Sequence, residues 1–262
     1  MKSVSINQQA TAPFHTQLAQ FGQLAQFDLA ALNTLQNTER MPFTIRIVTN
    51  ESDLQAAVKI RRAAYLRHLP EFANTMAVET YDRERGSVVL LAESKLDRAP
   101  LGTIRIQTNE FGPLPVEKSV SLPAKFSHAR LAEATRLGVA NGSIGRVVKM
   151  MLFKALFLYC EQQQIDWLIV TARPPIDREY DAMCFEDIFV NQALIPMEHV
   201  GGIGHRVLAG EVGIARQRWE EVKHPLFKFI FQIHHPDIDL RSLNNLSLGQ
   251  ESIRYGQDSH IG

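Results

Sequence analysis

A carboxylate and a guanidinium group lie three residues apart in the otherwise apolar segment Leu131–Ala140, as Glu133 and Arg136. Apolar neighbours withdraw a carboxyl group from water and raise its pKa, which would allow Glu133 to accept a proton from a reacting group. The alternative is a salt bridge to Arg136. Residues three apart on a regular strand face opposite sides of the sheet, so a site that uses both side chains requires a bulge between them.

A glycine turn follows this segment, with Gly142 and Gly145 in the sequence Asn141–Gly145. The next residues, 147–160, are almost uncharged and predict an apolar helix, and a second strand is predicted over residues 167–171. The first N–H groups of a helix lack partners within the helix and suit an anion. The strand–turn–helix–strand unit therefore indicates a phosphate site at the turn.

Other charged side chains fall where they could hold a small substrate. Arg105 is expected on the polar face of a strand, where its guanidinium could bind a carboxylate through two parallel hydrogen bonds; a solvent-exposed surface arginine is the alternative. On a predicted helix, Arg61 and Tyr65 are one turn apart and could close the same pocket with Asp82 or Glu79. For Arg61, a structural ion pair is an equal alternative.

The composition is that of a globular chain. It has 262 residues, of which 45% are hydrophobic, with 28 basic and 28 acidic side chains, and it can bury a full core. The balanced charge argues against nucleic acid as a partner. The two cysteines are too few for a disulfide framework, and no apolar run approaches about 18 residues, so we expect a cytoplasmic protein.

Three regions are predicted: a helical extension over residues 1–41, a main domain over 42–240 and a polar, flexible tail over 241–262. The extension has apolar residues at helical spacing, which predicts an amphipathic helix that packs on the main domain or on a dimer partner. A peripheral contact with the inner membrane through this helix is the alternative. The apolar residues are Phe14, Leu18, Phe21, Leu24, Leu29, Leu32 and Leu35.

The main domain alternates between strand and helix patterns. We expect a strand over 43–48, a helix over 53–65 capped by Asn50 or Ser52, and an antiparallel pair of strands over 88–92 and 101–108. A short helix is expected over 176–183, and short strands are expected near 185–190 and 193–200. These elements predict an α+β fold with a mixed sheet.

Signals for metal or nucleotide binding are weak. His234 and His235 are adjacent, and neighbouring histidines do not easily share one tetrahedral metal. The glycines of residues 201–204 lack the strand context and the later acidic residue of a dinucleotide fingerprint. We therefore predict no metal site and no dinucleotide site.

The order of the elements resembles the Gcn5-related N-acetyltransferase fold over residues 44–195. More narrowly, it resembles the branch that contains acyl-homoserine lactone synthases and long-chain N-acyl amino acid synthases. The resemblance implies a mixed, mostly antiparallel sheet flanked by helices, to which this chain adds the amphipathic N-terminal helix. That helix, the chain length and the sequence of residues 131–137 favour the N-acyl amino acid synthases. The resemblance is carried by Arg61-x-x-x-Tyr65, Tyr81-Asp82, Gly102-Thr-Ile-Arg105 and Glu133-Ala-Thr-Arg136.

A further landmark, Tyr180-Asp-Ala-Met-Cys-Phe185, is similar to the Tyr-x-x-x-Gly-Phe ending of acetyltransferases, with cysteine in place of glycine. The resemblance implies that Tyr180 protonates a departing thiolate, while packing of its ring in the core is the alternative. It also implies a bulged strand whose N–H groups at Leu137, Gly138 and Val139 bind the oxygen of a thioester.

The coenzyme A loop of acetyltransferases is only partly kept, in the sequence Gly142-Ser-Ile-Gly-Arg-Val147. Gly142, Gly145 and Arg146 are therefore expected to hold a phosphopantetheine arm rather than a complete coenzyme A pyrophosphate. A carrier-protein-linked arm has no adenosine diphosphate, so this departure favours acyl carrier protein over coenzyme A as the donor.

The residues and the resemblance together predict an N-acyltransferase that moves a long-chain fatty acyl group from acyl carrier protein to the α-amine of an amino acid. Glu133 would accept the amine proton. The acyl thioester is a co-substrate, and no bound cofactor is expected. The alternatives are an acyl-homoserine lactone synthase, an acetyl-coenzyme A-dependent N-acetyltransferase and a non-catalytic acyl-thioester-binding module. The acceptor is expected to contact Arg61, Tyr65, Asp82, Arg105 and Arg136.

A fatty acyl chain also needs an apolar tunnel. The helix of residues 147–160 and the alternating apolar side chains that follow at the C-terminal end of the main domain could line one, and core packing of the helix is the alternative. The alternating residues are Phe227, Phe229, Phe231 and Ile233.

Overall fold

The structure is a computed structural model that describes residues 39–241. The predicted amphipathic helix, with its proposed dimer or membrane contact, and the predicted tail beyond residue 241 lie outside the described residues. The domain boundaries at residues 41 and 240 stay predictions.

The described residues form one large sheet with helices on both faces. In chain order the strands are β1 (Phe43–Ile47), β2 (Ser87–Ser94), β3 (Pro100–Thr108), β4 (Leu131–Val139), β5 (Trp167–Ala172), β6 (Glu186–Asp187), β7 (Ile195–Met197), β8 (Ile203–Glu211) and β9 (Ile238–Asp239). The helices are α1 (Glu51–Tyr65), α2 (Pro70–Asn74), α3 (Gly142–Gln162), α4 (Asp177–Ala182), α5 (Val212–Glu221) and a π-helix (Lys228–Gln232).

The strand order is β6-β8-β5-β4-β3-β2-β1-β9, and β7 pairs with β8 outside this path. Two neighbouring pairs, β4 with β5 and β1 with β9, are parallel, and the remaining pairs are antiparallel. The predicted antiparallel pair β2–β3 is confirmed, and so is the β4–α3–β5 unit. The fold is the α+β arrangement with a mixed, mostly antiparallel sheet that the sequence predicts.

Helix α1 covers one face of the sheet. It begins where the side chain of Asn50 accepts a hydrogen bond from the Asp53 N–H, at 3.0 Å, so Asn50 is the cap. Apolar residues at helical spacing, including Leu54 and Ala57, pack against the side chains of β2. The same helix contacts β3 and β4. It therefore lies on the face toward which Glu133 and Arg105 point.

Helix α3 covers the opposite face and is buried along most of its length, as its apolar sequence requires. Its side chains pack on alternate residues of β3 and β4, such as Ile104 and Ala132. Core packing, the alternative interpretation of this helix, is what the structure shows for its buried residues. None of the described helices has both the length and the apolar character needed to cross a bilayer.

The alternation of apolar residues over 227–233 does not form a strand. The segment forms the π-helix instead, and the ammonium group of the buried Lys154 on α3 binds the carbonyl oxygens of Phe229 and Ile233. The ring of Phe231 packs edge-on against Phe157, with the centroids 5.0 Å apart. Phe229 therefore lies in the buried core, whereas Phe227 and Phe231 are partly buried against it.

A cavity of about 830 Å³ lies between α3 and this segment. Charged groups line it together with apolar ones, so its wall is not the uniformly apolar one that a fatty acyl chain requires. It contains none of the predicted catalytic, acceptor-binding or pantetheine-binding residues, although Phe231 and Ile233 of the predicted tunnel line it. Its lining includes Lys154, Glu161, Arg216, Leu158, Phe231 and Ile233.

The first turn of α3 leaves no space for a side chain at Gly145. A methyl group there would lie 1.7 Å from the carbonyl oxygen of Ala140, at the end of the preceding turn. We predict that Gly145→Ala lowers the free energy of unfolding by about 1–3 kcal/mol, because backbone must move to admit the methyl group. Gly213→Ala is the matched control, since a methyl group at that position would meet no atom within 4 Å outside its own helix backbone and chain neighbours. Urea unfolding of both variants measures the effect, and equal stabilities would contradict the packing described.

Candidate active site

A bulge interrupts β4 at the point where the site forms. Along β3, Thr103 pairs with Gly138 and Arg105 pairs with Thr135, so β4 has one more residue than β3 between these pairs. Arg136 lies in this interval with a φ of 57°, in the left-handed region. An extra residue leaves the ladder unpaired and redirects its side chain. A site that uses both Glu133 and Arg136 requires a bulge in this strand, and the bulge is present at Arg136 and Leu137.

Helix α1 packs directly on the strand just beyond the bulge. A methyl group at Gly138 would lie 3.0 Å from the Cα atom of Arg61 and 3.2 Å from the Cβ atom of Ala64. The absence of a side chain at Gly138 therefore allows the close approach of α1 to β4. This approach brings the guanidinium of Arg61 to the same face of the sheet as Arg105.

Arg61 and Arg105 share the carboxylate of Asp82. Arg61 donates from both terminal nitrogens to the two oxygens of Asp82, at 3.1 and 3.0 Å. Arg105 donates from Nη1 to Oδ1 of Asp82 at 3.2 Å and to Glu79 at 2.5 Å. Its Nε donates to Thr135 Oγ1 at 3.1 Å. Arg61 thus makes the ion pair with Asp82 that was one of its two predicted roles.

Arg136 joins the same network through Glu79. Its Nε and Nη2 donate to the two oxygens of Glu79, and the Nη2–Oε1 distance is 2.6 Å. Nη2 also donates to the backbone carbonyl of His199 at 2.7 Å. Because Glu79 receives both Arg105 and Arg136, it connects the bulge to β3. We call the group of Arg61, Glu79, Asp82, Arg105 and Arg136 the ion network.

The ion network is almost completely removed from water. The side chains of Arg105 and Asp82 are 0% exposed, and that of Glu79, at 25%, is the most accessible of the five. Burial opposes ionisation of both carboxyls, but hydrogen bonds and charge from Arg136 and Arg61 outweigh it, so the pKa values of Glu79 and Asp82 lie below their ordinary values. The alternative of a solvent-exposed Arg105 is wrong.

Three guanidinium groups face two carboxylates in the ion network, which leaves one positive charge unbalanced among these five residues. Three of their nitrogens are buried without a hydrogen-bond partner: Arg61 Nε, Arg105 Nη2 and Arg136 Nη1. A buried donor nitrogen without a partner is costly, and guanidinium groups bind carboxylates strongly. The arrangement can therefore accept an additional anion.

Glu133 lies beside the ion network but outside it. Its side chain is 0% exposed, and Oε2 accepts a hydrogen bond from the Val116 N–H at 2.8 Å. Oε1 has no hydrogen-bond partner. Burial raises the pKa of Glu133 to about 8, against the smaller opposing effects of the Val116 N–H, Arg105 and Arg136. The predicted rise is confirmed, and Arg136 is paired with Glu79 rather than with Glu133.

The two predicted tyrosines lie at the margin of this arrangement. Tyr180 is 5% exposed, and its ring packs between Phe153 and Phe185, with centroid distances of 5.6 and 5.3 Å. Burial raises the pKa of its hydroxyl, which therefore stays protonated at neutral pH. Tyr65 lies near enough to influence both Tyr180 and Arg136 electrostatically. The structure shows the core contacts of Tyr180, and its catalytic role stays a prediction.

The predicted phosphopantetheine residues lie at the N-terminus of α3. Asn141 caps this helix and its side chain accepts from the Gly142 N–H at 2.9 Å, so that donor is already used. Gly142 has a φ of 82°, a conformation suited to glycine. Glycine is needed at position 145 because a side chain there would overlap the Ala140 carbonyl. Arg146 is exposed. The turn is built as predicted, and phosphate binding there stays a prediction.

Several residues of the site are not among those that the sequence indicates as site residues. The sequence suggests Glu79 only as a partner of Arg61. A local signal exists, because Glu79 lies three residues before Asp82 and the Glu79 N–H donates to the Asp82 carboxylate at 2.9 Å. Val116 and His199 reach the site from turns distant in sequence, which no spacing indicates. Among residues 39–241, no group of three or more His, Cys, Asp or Glu side chains has an arrangement that could hold a metal ion.

Comparison with known proteins identifies the family of this chain. A sequence model described as N-acyl amino acid synthase FeeM matches residues 56–194, more than half of the chain. The chain belongs to the FeeM N-acyl amino acid synthase family and is an acyltransferase of that family. No curated protein is significantly similar to it in sequence.

Three solved structures are similar to this chain. FeeM, an N-acyl amino acid synthase from uncultured soil microbes, is 19% identical with a TM-score of 0.54, over 67% of this chain and 93% of FeeM. The coenzyme A-dependent acyl-homoserine lactone synthase BjaI is 15% identical with a TM-score of 0.49, over 76% and 93%. The acyl-homoserine lactone synthase LasI is 16% identical with a TM-score of 0.47, over 66% and 93%. The likeness to FeeM shows that the described residues share the fold of that N-acyl amino acid synthase.

The buried Glu133 generates a testable dependence of stability on pH. Its folded pKa of about 8 is above the ordinary value of 4.5, so the folded state holds a proton that the unfolded state has released between these values. Stability contributed by this group is present below about pH 4.5 and is lost as pH rises toward 8. Glu133→Gln cannot ionise. We therefore predict that its free energy of unfolding rises relative to that of wild type between pH 5 and 8.

Urea unfolding across this pH range measures the difference. The exposed Glu220→Gln is the matched control because it makes the same chemical change outside the site. A difference between Glu133→Gln and wild type that does not vary with pH would show that Glu133 has an ordinary pKa.

Proposed function

We propose that this enzyme transfers a long-chain fatty acyl group from the phosphopantetheine thioester of acyl carrier protein to the α-amine of an amino acid. The observation that carries the proposal is the position of Glu133, a buried carboxyl with a raised pKa beside a network of guanidinium groups that has an unbalanced positive charge. Membership of the N-acyl amino acid synthase family supports the reaction class.

In the proposed reaction, the amine nitrogen attacks the carbonyl carbon of the thioester and forms a carbon–nitrogen bond. The resulting oxyanion collapses and breaks the carbon–sulfur bond, and the thiolate takes up a proton as it departs. The amine must lose one proton, which the carboxylate form of Glu133 accepts. Because the pKa of Glu133 is about 8, part of the population carries this carboxylate at neutral pH.

The ion network supplies a place for the carboxylate of the acceptor. Arg105 Nη2 and Arg136 Nη1 are buried donors without partners, and both residues lie close enough to Glu133 to lower its pKa by their charge. An α-amino acid has its amine on the carbon next to its carboxylate. A carboxylate bound by these nitrogens would therefore hold the amine within reach of Glu133.

The bulge supplies stabilisation for the oxyanion. Arg136 and Leu137 fall outside the regular pairing of β3 with β4, so a backbone N–H in this region is available to an oxygen developing negative charge. Fixed N–H groups that face such an oxygen are among the strongest sources of catalysis in acyl transfer. Leu137, Gly138 and Val139 are the residues proposed to line this position, with Tyr180 as the proton donor to the thiolate.

Acyl carrier protein is the proposed donor because the turn before α3 is limited as a pyrophosphate site. The Gly142 N–H is bound by the Asn141 side chain, and the Ala140 carbonyl packs closely against Gly145. A phosphopantetheine arm attached to a carrier protein places a single phosphate here, whereas in coenzyme A the same phosphate is part of a pyrophosphate that leads to adenosine. Arg146, exposed beside this turn, would contact that phosphate.

The direct test is incubation of the full chain with acyl carrier protein loaded with acyl chains of about 8 to 18 carbons, pooled amino acids and S-adenosylmethionine, followed by mass spectrometry. A parallel set replaces the carrier with the same acyl-coenzyme A thioesters. An N-acyl amino acid formed faster from the carrier is the predicted product. An acyl lactone, a preference for acetyl-coenzyme A, or binding without product would each contradict the proposal.

Replacement of the proposed base has a predicted effect on rate. We expect Glu133→Gln to lower kcat by about 10²–10⁴-fold, the usual contribution of a positioned acid or base. In wild type, kcat should rise with pH and level off above about pH 8, because only the ionised carboxylate accepts the proton. A variant with full turnover, or a wild-type rate that falls from pH 6 to 8, would remove Glu133 from this role.

The ion network predicts a requirement for a carboxylate on the acceptor. The α-amide of a productive amino acid keeps the amine and side chain but removes the negative charge. We expect its kcat/KM to fall by at least about tenfold, since charge-assisted hydrogen bonds to a buried guanidinium contribute about 1.5–3 kcal/mol. The comparison uses one enzyme preparation and one donor. Equal kcat/KM for acid and amide would show that the carboxylate is not bound.

A further inference from the structure

His199 is a buried polar residue that the reaction described above leaves without a role. It lies in the short 3-10 turn Glu198–Val200 directly after β7, and its side chain is 2% exposed. Ring nitrogen Nδ1 is buried and has no hydrogen-bond partner. Nε2 lies 3.3 Å from Thr171 Oγ1 on β5 and 3.9 Å from Glu133 Oε1 on β4.

The position of this ring is fixed by the same elements that fix Glu133. The turn that holds His199 packs against the 3-10 turn Pro115–Lys118, which contains the Val116 N–H bound to Glu133. Ser119 accepts a hydrogen bond from the Glu198 N–H at 2.8 Å and joins the two turns. The imidazole is therefore held near the free oxygen of Glu133 by packing from both sides.

We propose that His199 relays the proton of the acceptor amine to Glu133. This inference rests on the proposed function, and it assigns a further catalytic residue to the same reaction. Nδ1 is the unpartnered atom that would meet the amine, and Nε2 is the atom that faces the carboxylate. Glu133 is then the final proton acceptor rather than the group that touches the substrate.

The relay needs no charged imidazole. A proton moves from the amine to Nδ1 while the proton on Nε2 moves to Glu133 Oε1, so the ring is neutral before and after transfer. The carboxylate loses one negative charge, and the attacking nitrogen keeps its electron pair for the new bond. The 3.9 Å separation exceeds a hydrogen bond by about 1 Å, and catalytic hydrogen bonds commonly shorten when substrate binds.

The charges around the ring favour its neutral form. Burial lowers the pKa of His199 to about 3, and the neighbouring positive groups add to this effect against the single opposing charge of Glu79. An imidazolium would therefore be unfavourable, whereas a relay between two neutral tautomers is not. The groups that face His199 and Glu133 from the surrounding elements are Arg105, Arg136, Glu79, Glu117, His205 and Thr171.

The kinetic test compares His199→Gln with wild type. We expect kcat to fall about 10²-fold while KM for the amino acid changes by less than about twofold, because the backbone carbonyl that binds Arg136 remains. Glu133→Gln and the double variant should be equally slow, since both residues serve one proton transfer. His205→Gln is the matched control, a buried histidine bound to the Ile203 carbonyl, and its rate should be close to wild type.

A multiplicative loss in the double variant, or a His199→Gln rate within about threefold of wild type, would overturn the relay. Equal losses in His199→Gln and His205→Gln would attribute the effect to packing and would also overturn it. If the wild type forms no product with any donor and acceptor, the proposed function fails, and the relay is then judged from a measurement that needs no turnover.

That measurement is the ¹⁵N NMR titration of the His199 ring in the free protein. A protonated Glu133 donates to Nε2 and places the ring proton on Nδ1, whereas the carboxylate accepts from an Nε2–H. We expect the ring to stay neutral from pH 5 to 9 and to exchange its Nδ1–H form for the Nε2–H form with a midpoint near 8. Glu133→Gln should abolish this midpoint. A tautomer that does not change with pH, or changes equally in Glu133→Gln, would overturn the proposal.

Discussion

The rest of the site depends on the exclusion of water from three guanidinium groups that share two carboxylates. Arg105 is completely buried, and it is tolerated there because Glu79, Asp82 and Thr135 bind its nitrogens. Asp82 holds Arg61 on α1 in the same way, and Glu79 holds Arg136 at the bulge. The network therefore connects α1, β3 and β4 and leaves positive charge beside Glu133.

Burial raises the pKa of every carboxyl group in the site, but the net shifts of neighbouring groups are opposite. Glu79 and Asp82 are stabilised as anions because guanidinium groups donate directly to them, whereas Glu133 accepts one backbone N–H and its pKa rises to about 8. Two kinds of carboxyl group thus exist within one site, one suited to holding charge and one suited to exchanging a proton. The bulge at Arg136 makes this possible because it turns the guanidinium toward Glu79.

Local sequence patterns predict the elements that carry the site, but not all of its contacts. The Asn50 cap, the β2–β3 pair and the β4–α3–β5 unit follow from capping and periodicity, and the apolar neighbours of Glu133 predict its raised pKa. The pairing of Arg136 with Glu79 instead of Glu133 depends on a turn 57 residues away, which no local pattern specifies. His199 enters for the same reason. The alternation over residues 227–233 likewise does not specify the π-helix Lys228–Gln232 that forms there, and Lys154 binds the carbonyl oxygens of Phe229 and Ile233.

The central claim is that Glu133 exchanges a proton near neutral pH. Selective ¹³C labelling of glutamate carboxyls, with Glu133→Gln to assign the signal, follows its ionisation by NMR from pH 4 to 10. We expect a single carboxyl with a midpoint near 8 that is missing in the variant. A Glu133 signal that titrates near its ordinary value of 4.5 would contradict this claim, because the group would then be too weak a base for the role assigned to it.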